Sequence, residues 1–228
     1  MKKKTQAVIF DVGDVLALSK KSLKKFKGKT FHIGVHEDIS KKLKISLDQY
    51  FDSIDSTYAK SMEGKISLKE TLEFLSKNLK ISKTKLKQIF FNTYKKHFKQ
   101  NNQLFKKARL LKKRGYKLAI LSDQWHLSKE VVMPKNLYDF FDVLVVSCDV
   151  GIRKPNPEIY LDSCRRLKLP ADECIAVEDS PIGIESAKSA GIKCLALLTE
   201  YHIAKDLKKA DFVVHDLKPK TINKILKI

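Results

Sequence analysis

Five side chains that can carry chemistry lie at or just beyond the ends of four apolar runs in this sequence. They are Asp11 after the first run, Ser122 at the end of the second, Lys154 shortly after the third, and Glu178 and Asp179 at the end of the fourth. Each could have an ordinary structural role, because strand-end carboxylates often cap helices and a serine or lysine after a strand is often a turn residue. Their common position at the ends of successive runs favours a shared site that offers carboxylates, a hydroxyl group and an ammonium group.

The apolar runs themselves predict the elements that position these residues. The first run, Ala7-Val8-Ile9-Phe10, is short and continuous, as expected of a strand buried in a parallel sheet. Further runs of this kind lie at residues 117–121, 143–146, 174–177, 194–197 and 212–214. Helical patterns lie between the later runs, and this alternation predicts a parallel sheet covered on both faces. Because ligands bind beyond the carboxyl ends of such strands, we expect the five side chains at one edge of the sheet.

Residues 19–98 have a different pattern, with helical periodicity and no convincing strand. Ser46 with Gln49, and Ser67 with Glu70, have the spacing of capping boxes, in which two side chains and two backbone N–H groups bond reciprocally. The apolar residues that follow recur at helical spacing. The segment is therefore expected to be an all-helical insertion between the first strand and the rest of the sheet.

Several aromatic residues could contact a ligand or simply fill the interior of this insertion. Tyr50, Tyr58, Phe90 and Tyr94 lie at helical spacing, which favours a place in its core. Trp125 and His126 follow the second run, and we expect the tryptophan to pack on the insertion and the histidine to lie at the surface.

Composition limits the class of partner. The 228 residues carry a formal charge of +20, which could attract nucleic acid or an anionic membrane. However, only five of the 46 basic residues are arginine, the residue on which bidentate phosphate and base recognition depends. The lysines are also spread along most of the chain. We therefore do not expect a nucleic-acid partner, and such a field would suit small anionic substrates.

Localisation and membrane contact can also be predicted. No apolar stretch approaches the roughly 18–20 residues of a membrane-spanning helix, and Asp11 and Asp14 interrupt the first run, which argues against an export signal. Cys148, Cys174 and Cys194 lie in or beside apolar runs, no CxxC pair occurs, and no histidine lies at zinc-finger spacing. These features predict a cytoplasmic protein in a reducing compartment, with no membrane partner, and leave monomer and homodimer open.

The residues at the strand ends resemble the four motifs of the haloacid dehalogenase-like hydrolases. The matching residues are Asp11-Val12-Gly13-Asp14-Val15-Leu16 for the first motif, Ser122 for the second, Lys154 for the third and Glu178-Asp179 for the fourth. The surrounding stretches, residues 151–160 and 178–191, look most like the phosphatase branch of that superfamily. The resemblance implies a Rossmann-like α/β core of residues 1–18 and 99–228, with a type 1 helical cap domain at residues 19–98.

The resemblance also implies a role for each motif residue. Asp11 would attack phosphorus and form an aspartyl-phosphate, a covalent intermediate that divides one difficult step into two. Ser122 would hydrogen-bond the transferring phosphoryl group with Asp123 beside it, and Lys154 would offset negative charge on the nucleophile and the phosphate. The implied cofactor is Mg²⁺, held by hard oxygen ligands from the Asp11 carboxylate, the Gly13 carbonyl and Asp179, with Glu178 nearby.

One position departs from the usual pattern of these phosphatases. They usually carry a second aspartate two positions after the nucleophile, which protonates the leaving group and then activates water, whereas this sequence has Gly13 there. Asp14 comes one residue later and on an extended segment would point the other way. General acid–base catalysis contributes roughly 10²–10⁴-fold. We therefore expect a magnesium-dependent phosphatase of a small phosphorylated metabolite. It either prefers activated leaving groups, such as acyl, aryl or anomeric sugar phosphates, or takes an acid or a water molecule from the cap.

Three alternatives stay open at this point. A dehalogenase of the same superfamily attacks carbon and needs neither a leaving-group proton nor a metal, but the retained Glu178-Asp179 pair favours phosphate. A phosphomutase shares the motifs but needs an acid to move phosphate between hydroxyl groups. A non-catalytic module could bind an anion or nucleic acid, although a scaffold would not require Asp11, Lys154 and Asp179 together.

Overall fold

The computed structural model describes residues 5–19, 23–26, 29–199, 202 and 204–215. Among the predicted core residues, 1–4, 200, 201, 203 and 216–228 lie outside this description. So do residues 20–22, 27 and 28 of the predicted cap.

Ten strands and nine α-helices occur within the described residues. The strands are β1 (Ala7–Phe10), β2 (Ala17–Ser19), β3 (Leu23–Phe26), β4 (Lys29–His32), β5 (Phe98–Gln100), β6 (Lys117–Ser122), β7 (Val143–Val146), β8 (Cys174–Glu178), β9 (Lys193–Leu197) and β10 (Phe212–Val214). The helices are α1 (Ile33–Leu43), α2 (Leu47–Met62), α3 (Leu68–Leu79), α4 (Lys83–His97), α5 (Asn102–Lys113), α6 (His126–Val132), α7 (Ser147–Val150), α8 (Glu158–Leu167) and α9 (Pro181–Ser189).

Six of the strands form one parallel sheet in the order β10-β9-β8-β1-β6-β7. They coincide with the six apolar runs that predicted them. Phe10 lies opposite both Ile120 and Val177, so β1 is an inner strand whose carboxyl end is level with those of β6 and β8. The predicted Rossmann-like α/β core is confirmed.

The side chains of β1 alternate between two apolar layers. Val8 and Phe10 belong to a core that continues into the helices of the inserted segment, whereas Ala7 and Ile9 pack in a second core that includes Tyr160 of α8. Because both faces of the strand are covered, every position is apolar, and the continuous run in the sequence is explained.

The ends of two core helices position residues of the fourth and third motifs. Ser180 caps α9 by accepting the Gly183 N–H at 3.1 Å, and Pro181 is the first helical residue. At α8 the N-cap is Pro157, and the Asn156 side chain accepts from the amide of the first helical residue, Glu158, at 3.0 Å.

Helices α1 to α4 make up most of the inserted segment. Ser46 and Ser67 begin α2 and α3 with complete capping boxes, and Gln49 and Glu70 are the partners that their spacing predicted. The expected absence of strands is wrong, because β3 and β4 pair as an antiparallel hairpin. Lysines within these four-residue strands interrupt the apolar alternation that would have indicated a hairpin.

Strands β2 and β5 join the inserted segment to the sheet. They pair antiparallel, with Ala17 opposite Gln100 and Ser19 opposite Phe98. The predicted boundaries between core and cap fall within this short ribbon, and the division of the chain into two domains stays a prediction.

Cys148, Cys164, Cys174 and Cys194 all carry free, buried thiols, which agrees with their expected role as small apolar residues. None of the described helices has both the length and the apolar character needed to cross a membrane. The compartment and the oligomeric state stay predictions.

Candidate active site

The carboxyl edge of the sheet brings the predicted carboxylates together. Asp11 follows β1, Glu178 ends β8 and Asp179 comes next, and one carboxylate oxygen from each lies within 4.8 Å of the others. Parallel pairing sets this arrangement, because the Asp11 amide donates to the Val177 carbonyl at 2.9 Å and places the aspartate beside the end of β8. All three carboxylates are buried.

Lys154 is the cation of this cluster. Its Nζ donates to Asp11 Oδ1 at 2.5 Å and to Glu178 Oε1 at 2.6 Å. Its side chain is 6% exposed, so these contacts replace nearly all of its water. Burial opposes the charge on Lys154, but the Asp11 and Glu178 carboxylates outweigh it and hold the pKa of the amine above its usual range. Lys154 is therefore charged at neutral pH.

The three carboxylates carry more charge than Lys154 neutralises. Burial raises the pKa of Asp11 to about 7, with Lys154 opposing the rise and Glu178 adding to it. Burial, followed by the charges of Asp11 and Glu178, raises the pKa of Asp179 well above its usual range. When all are ionised, one ammonium leaves two negative charges unbalanced in a buried place. Closely spaced oxygen ligands with this excess charge fit a divalent cation such as Mg²⁺.

Glu178 is held on both of its oxygens. The four donors are Lys154 Nζ at 2.6 Å, the Tyr160 hydroxyl at 2.7 Å, and the Asp179 amide and Ser180 hydroxyl at 3.3 Å each. These bonds favour a role in orienting Lys154, and direct metal coordination by Glu178 stays a prediction.

Gly183 makes room for the Glu178 carboxylate. A Cβ atom at position 183 would lie 2.1 Å from that carboxylate, far inside any real contact distance. Tyr160 and Gly183 were not predicted as site residues. Both lie in the stretches that resemble the third and fourth motifs, but neither their type nor their spacing indicates a contact with Glu178.

Ser122 and Asp123 lie at the same edge on the loop after β6. Ser122 is buried, and its hydroxyl oxygen accepts from Gln124 Nε2 at 3.1 Å. Asp123 Oδ1 accepts from the Lys154 amide at 3.3 Å, and its Oδ2 lies 3.8 Å from Arg153 Nε. Within the described residues, no hydrogen bond joins Ser122 or Asp123 to the predicted nucleophile, so both flank the cluster rather than belong to it.

Gly13 leaves space beside the predicted nucleophile. A Cβ atom at this position would lie 3.7 Å from Asp11 Oδ2, an ordinary contact distance. Asp14, at a φ of 50°, accepts from the Ser19 amide and hydroxyl at 3.0 and 2.8 Å through the same oxygen, Oδ1. That oxygen is engaged within a turn rather than on the extended segment assumed from the sequence, and the expectation that Asp14 does not replace the missing acid stays a prediction. The Gly13 carbonyl as a metal ligand stays a prediction.

Trp125 and His126 tie the loop after β6 to the inserted helices. The Trp125 indole N–H donates to the Tyr94 hydroxyl at 3.1 Å, and its ring centroid lies 4.9 Å from that of Tyr58. The tryptophan packs on the insertion as expected, whereas His126 is half-buried rather than at the surface, with Nε2 3.0 Å from the Ile66 carbonyl. The loop that carries the predicted phosphate-binding residues is therefore fixed to the cap.

A second group of ligand-type side chains, His126, Cys148 and Asp149, is close enough to share an ion. Lys129 already binds both oxygens of Asp149 at 2.7 and 2.6 Å. Burial, together with the charge of Asp149, raises the pKa of Cys148 to about 12, so its thiol stays protonated at neutral pH. We assign no metal to this group, because its carboxylate is already paired with Lys129 through both oxygens.

The chain is similar to known proteins at the levels of family, sequence and fold. A family model for haloacid dehalogenase-like hydrolases matches residues 5–191. The phosphoglycolate phosphatase of Aquifex aeolicus is 29% identical over 131 residues, which cover 54% of this chain and 62% of its own length. Validoxylamine A 7'-phosphate phosphatase of Streptomyces hygroscopicus subsp. limoneus is 43% identical over 76 residues, or 33% of this chain and 35% of its own. The chain thus matches less than two thirds of the length of each of these curated relatives.

A solved structure shares the fold over most of the chain. It is the haloacid dehalogenase family enzyme bt-2542 from Bacteroides thetaiotaomicron, in complex with magnesium and inorganic phosphate. The TM-score is 0.68 at 15% identity, covering 88% of this chain and 98% of that chain. At this level of identity the likeness shows a common fold.

Proposed function

Because this chain belongs to the haloacid dehalogenase-like hydrolases, we propose that it is a magnesium-dependent phosphatase that hydrolyses a small phosphorylated metabolite through an aspartyl-phosphate. The observation that carries the proposal is the buried cluster of Asp11, Lys154, Glu178 and Asp179 at the carboxyl edge of the sheet. Two relatives named as phosphatases, and a fold relative in complex with magnesium and inorganic phosphate, support it.

Asp11 acts as the nucleophile in this proposal. Lys154 binds its Oδ1 at 2.5 Å, which leaves Oδ2, the oxygen beside Gly13, to attack phosphorus. The new Oδ2–phosphorus bond forms as the bond from phosphorus to the leaving-group oxygen breaks. Water then attacks the aspartyl-phosphate, releases inorganic phosphate and restores the carboxylate.

Charge stabilisation comes from groups that are fixed before the substrate arrives. Lys154 is locked by two carboxylates, and the Ser122 oxygen accepts from Gln124, which directs the Ser122 hydroxyl hydrogen to another acceptor such as a phosphoryl oxygen. Bound Mg²⁺ would neutralise charge on the phosphoryl oxygens. Its ligands would be the Asp11 carboxylate, Asp179 and the Gly13 carbonyl, with Glu178 nearby.

The lack of an acidic side chain at Gly13 leads us to propose which leaving groups the enzyme prefers. Without an acid at this position, the leaving oxygen departs unprotonated, so we propose that acyl, aryl or anomeric sugar phosphates react faster than alkyl phosphates. A side chain would fit at this position, because its Cβ would lie 3.7 Å from Asp11 Oδ2. Gly13→Asp is therefore expected to gain activity on alkyl phosphates, and the absence of any gain would count against this preference.

Phosphate release from a panel of phosphorylated metabolites, together with 4-nitrophenyl phosphate and acetyl phosphate, tests the function. We expect release that requires Mg²⁺, stops when the metal is chelated, and is lost in Asp11→Asn, which removes the attacking carboxylate but keeps its size. Asp206→Asn is a matched control at an exposed site. If the wild-type chain released no phosphate across the panel, or if Asp11→Asn were fully active, the proposal would be wrong and a non-catalytic anion-binding module would gain support.

A further inference from the structure

We infer that Arg153 and Tyr58 form a subsite that binds an anionic group, a carboxylate or a second phosphate, on the leaving-group part of the substrate. This subsite rests on the proposed function, because it lies next to the residues that would bind the transferring phosphoryl group. It deepens that function by naming the class of substrate, which is a phosphate ester whose leaving group is itself negatively charged.

Arg153 supplies the cation of the subsite. It precedes the buried Lys154 in the chain, yet its own side chain is 40% exposed. Its Nε lies 3.8 Å from Asp123 Oδ2, beyond hydrogen-bond distance, and in the described part of the chain this is the one ion pair that the guanidinium makes. The terminal nitrogens therefore keep N–H donors whose planar arrangement matches a carboxylate or a phosphate.

Tyr58 supplies a hydroxyl donor from the cap. Its ring centroid lies 4.9 Å from that of Trp125, which fixes the tyrosine against the loop after β6. Burial raises the pKa of Tyr58, while the Arg153 charge lowers it and the Asp123 charge raises it, so the hydroxyl lies within electrostatic reach of both. Its hydroxyl has no hydrogen-bond partner among the residues that the structure describes. At neutral pH it stays protonated and is available to donate.

Asp123 connects this subsite to the catalytic cluster. Its Oδ1 accepts from the Lys154 amide at 3.3 Å, while Oδ2 faces Arg153. Asp123 thus orients Arg153 and also bonds to the backbone of Lys154. Glu63, a further carboxylate in electrostatic reach of Arg153, is paired with Lys65 at 2.7 Å.

The chemistry of the two side chains selects an anion rather than a neutral group. Arg153 is a cation that can only donate hydrogen bonds, and the hydroxyl of Tyr58, on a helix of the cap, adds a second donor. A neutral hydroxyl group would gain little from the guanidinium, because it carries no charge to pair with the cation. A carboxylate or phosphate would form charge-assisted bonds, which are about twice as strong as neutral ones.

Three aryl phosphates of similar shape test this subsite. Phenyl phosphate has a neutral leaving group, 4-carboxyphenyl phosphate adds a carboxylate, and 1,4-phenylene bisphosphate adds a phosphate, so the set also distinguishes the two kinds of anion. For Arg153→Gln we expect KM for at least one charged substrate to rise by about tenfold, with kcat and the values for phenyl phosphate nearly unchanged. Tyr58→Phe should raise the same KM by about threefold. Arg166→Gln is the matched control, because its side chain is 47% exposed and pairs with Asp162 on α8.

Equal losses of activity on charged and neutral substrates, or no loss on either, would overturn the subsite.

A separate measurement distinguishes a failure of the subsite from a failure of the proposed function. Calorimetry with benzylphosphonate, 4-carboxybenzylphosphonate and 1,4-phenylenebis(methylphosphonate), which cannot be hydrolysed, should show tighter binding of a charged analogue and loss of that preference in Arg153→Gln. If none of the esters is hydrolysed, the phosphatase function fails, and this binding preference still decides the subsite. Equal binding of all three phosphonates, or a preference that persists in Arg153→Gln, would contradict it.

Discussion

The core buries one cluster of paired charged groups, whereas the described ion pairs of the inserted cap segment are more exposed. In the core, Lys154 and Glu178 form an ion pair whose side chains are 6% and 0% exposed. In the cap, a typical pair such as Lys83 with Glu73 is 50% and 43% exposed, and the interior is filled by aromatic rings such as that of Tyr50. Burying charge is costly unless each group is paired, so the buried cluster supports the proposal that the core carries the chemistry.

From this contrast we expect three kinds of mutational effect. A change in the core cluster should affect every substrate alike, because each phosphoryl group meets the same charges. A change where cap and core meet should depend on the substrate, because that surface contacts the part that varies. A change in a cap ion pair should alter stability alone.

The largest effect is expected for Lys154→Gln. The substitution leaves Asp11 and Glu178 buried without their shared cation, so kcat/KM should fall by at least about 10²-fold on every substrate. Removing one partner of a buried pair should also lower the free energy of unfolding by about 3–5 kcal/mol. Steady-state kinetics and urea unfolding measure the two effects. Lys83→Gln, at the exposed cap pair, should have little effect on the free energy of unfolding and leave kcat/KM unchanged. Equal behaviour of the two variants would remove the distinction between core and cap.

A smaller but more specific effect is expected within α9. Gly183→Ala would place a Cβ atom 2.1 Å from the Glu178 carboxylate, so that side chain must move away from Lys154 and Tyr160. We expect a loss of about 1–3 kcal/mol in the free energy of unfolding and about tenfold in kcat for all substrates. Urea unfolding and steady-state kinetics check the two losses.

Gly191, just past the end of α9, provides the control for this prediction. It has a φ of 75°, and no atom of the described residues would lie within 4 Å of an added Cβ atom, so Gly191→Ala should cost about 1 kcal/mol through backbone strain alone. Its kcat should match that of the wild type. If both alanine variants lost stability and kept full activity, Glu178 would not be needed to orient Lys154.

The core was predictable because its constraints are local. A strand buried on both faces must be apolar throughout, and residues at the ends of parallel strands must share an edge, so the runs and their terminal residues contain enough information to place Asp11, Lys154, Glu178 and Asp179 together. Tyr160 and Gly183 were missed because their contact with Glu178 depends on how two helices pack over the sheet. Helical periodicity does not determine that distance.

The cap was predicted less completely for a similar reason. Capping boxes at Ser46 and Ser67 involve residues three apart, so the sequence alone located the starts of α2 and α3. Helical spacing assigned Tyr58 to the cap core, but only the docking of the cap on the core brings it close to Trp125 and the Arg153 charge. The same docking buries part of His126, which was expected at the surface.

An intermediate effect is expected at the junction between cap and core. Trp125→Phe removes the indole N–H that donates to the Tyr94 hydroxyl at 3.1 Å but keeps an aromatic ring in place. We expect a loss of about 1–2 kcal/mol in the free energy of unfolding and changes in KM that differ between substrates, with smaller changes in kcat.

Tyr94→Phe removes the same hydrogen bond from the other side, and the double variant completes a thermodynamic cycle. A coupling energy of about 0.5–1.5 kcal/mol between the two positions is expected. Additive effects on stability, or a uniform fall in kcat for every substrate, would argue that this junction does not shape substrate selection.

The smallest effect is expected at Asp38 in the cap. Its Oδ2 accepts from Lys96 Nζ at 2.7 Å and from His97 Nε2 at 2.8 Å, and these bonds, that of Lys96 first, lower the pKa of Asp38 from 3.8 to about 2. Asp38→Asn should lower the free energy of unfolding by about 1 kcal/mol or less and leave kcat/KM unchanged for every substrate.

Because the pKa of Asp38 is lower in the folded chain, the stabilisation is fully present above about pH 4 and is lost as the pH falls through about 2. Urea unfolding of both proteins at about pH 6 and about pH 3 should therefore show a smaller difference at the lower pH. A difference that grew on acidification would mean that Asp38 is stabilised in its protonated form, and any loss of activity would mean that cap ion pairs reach the chemistry after all.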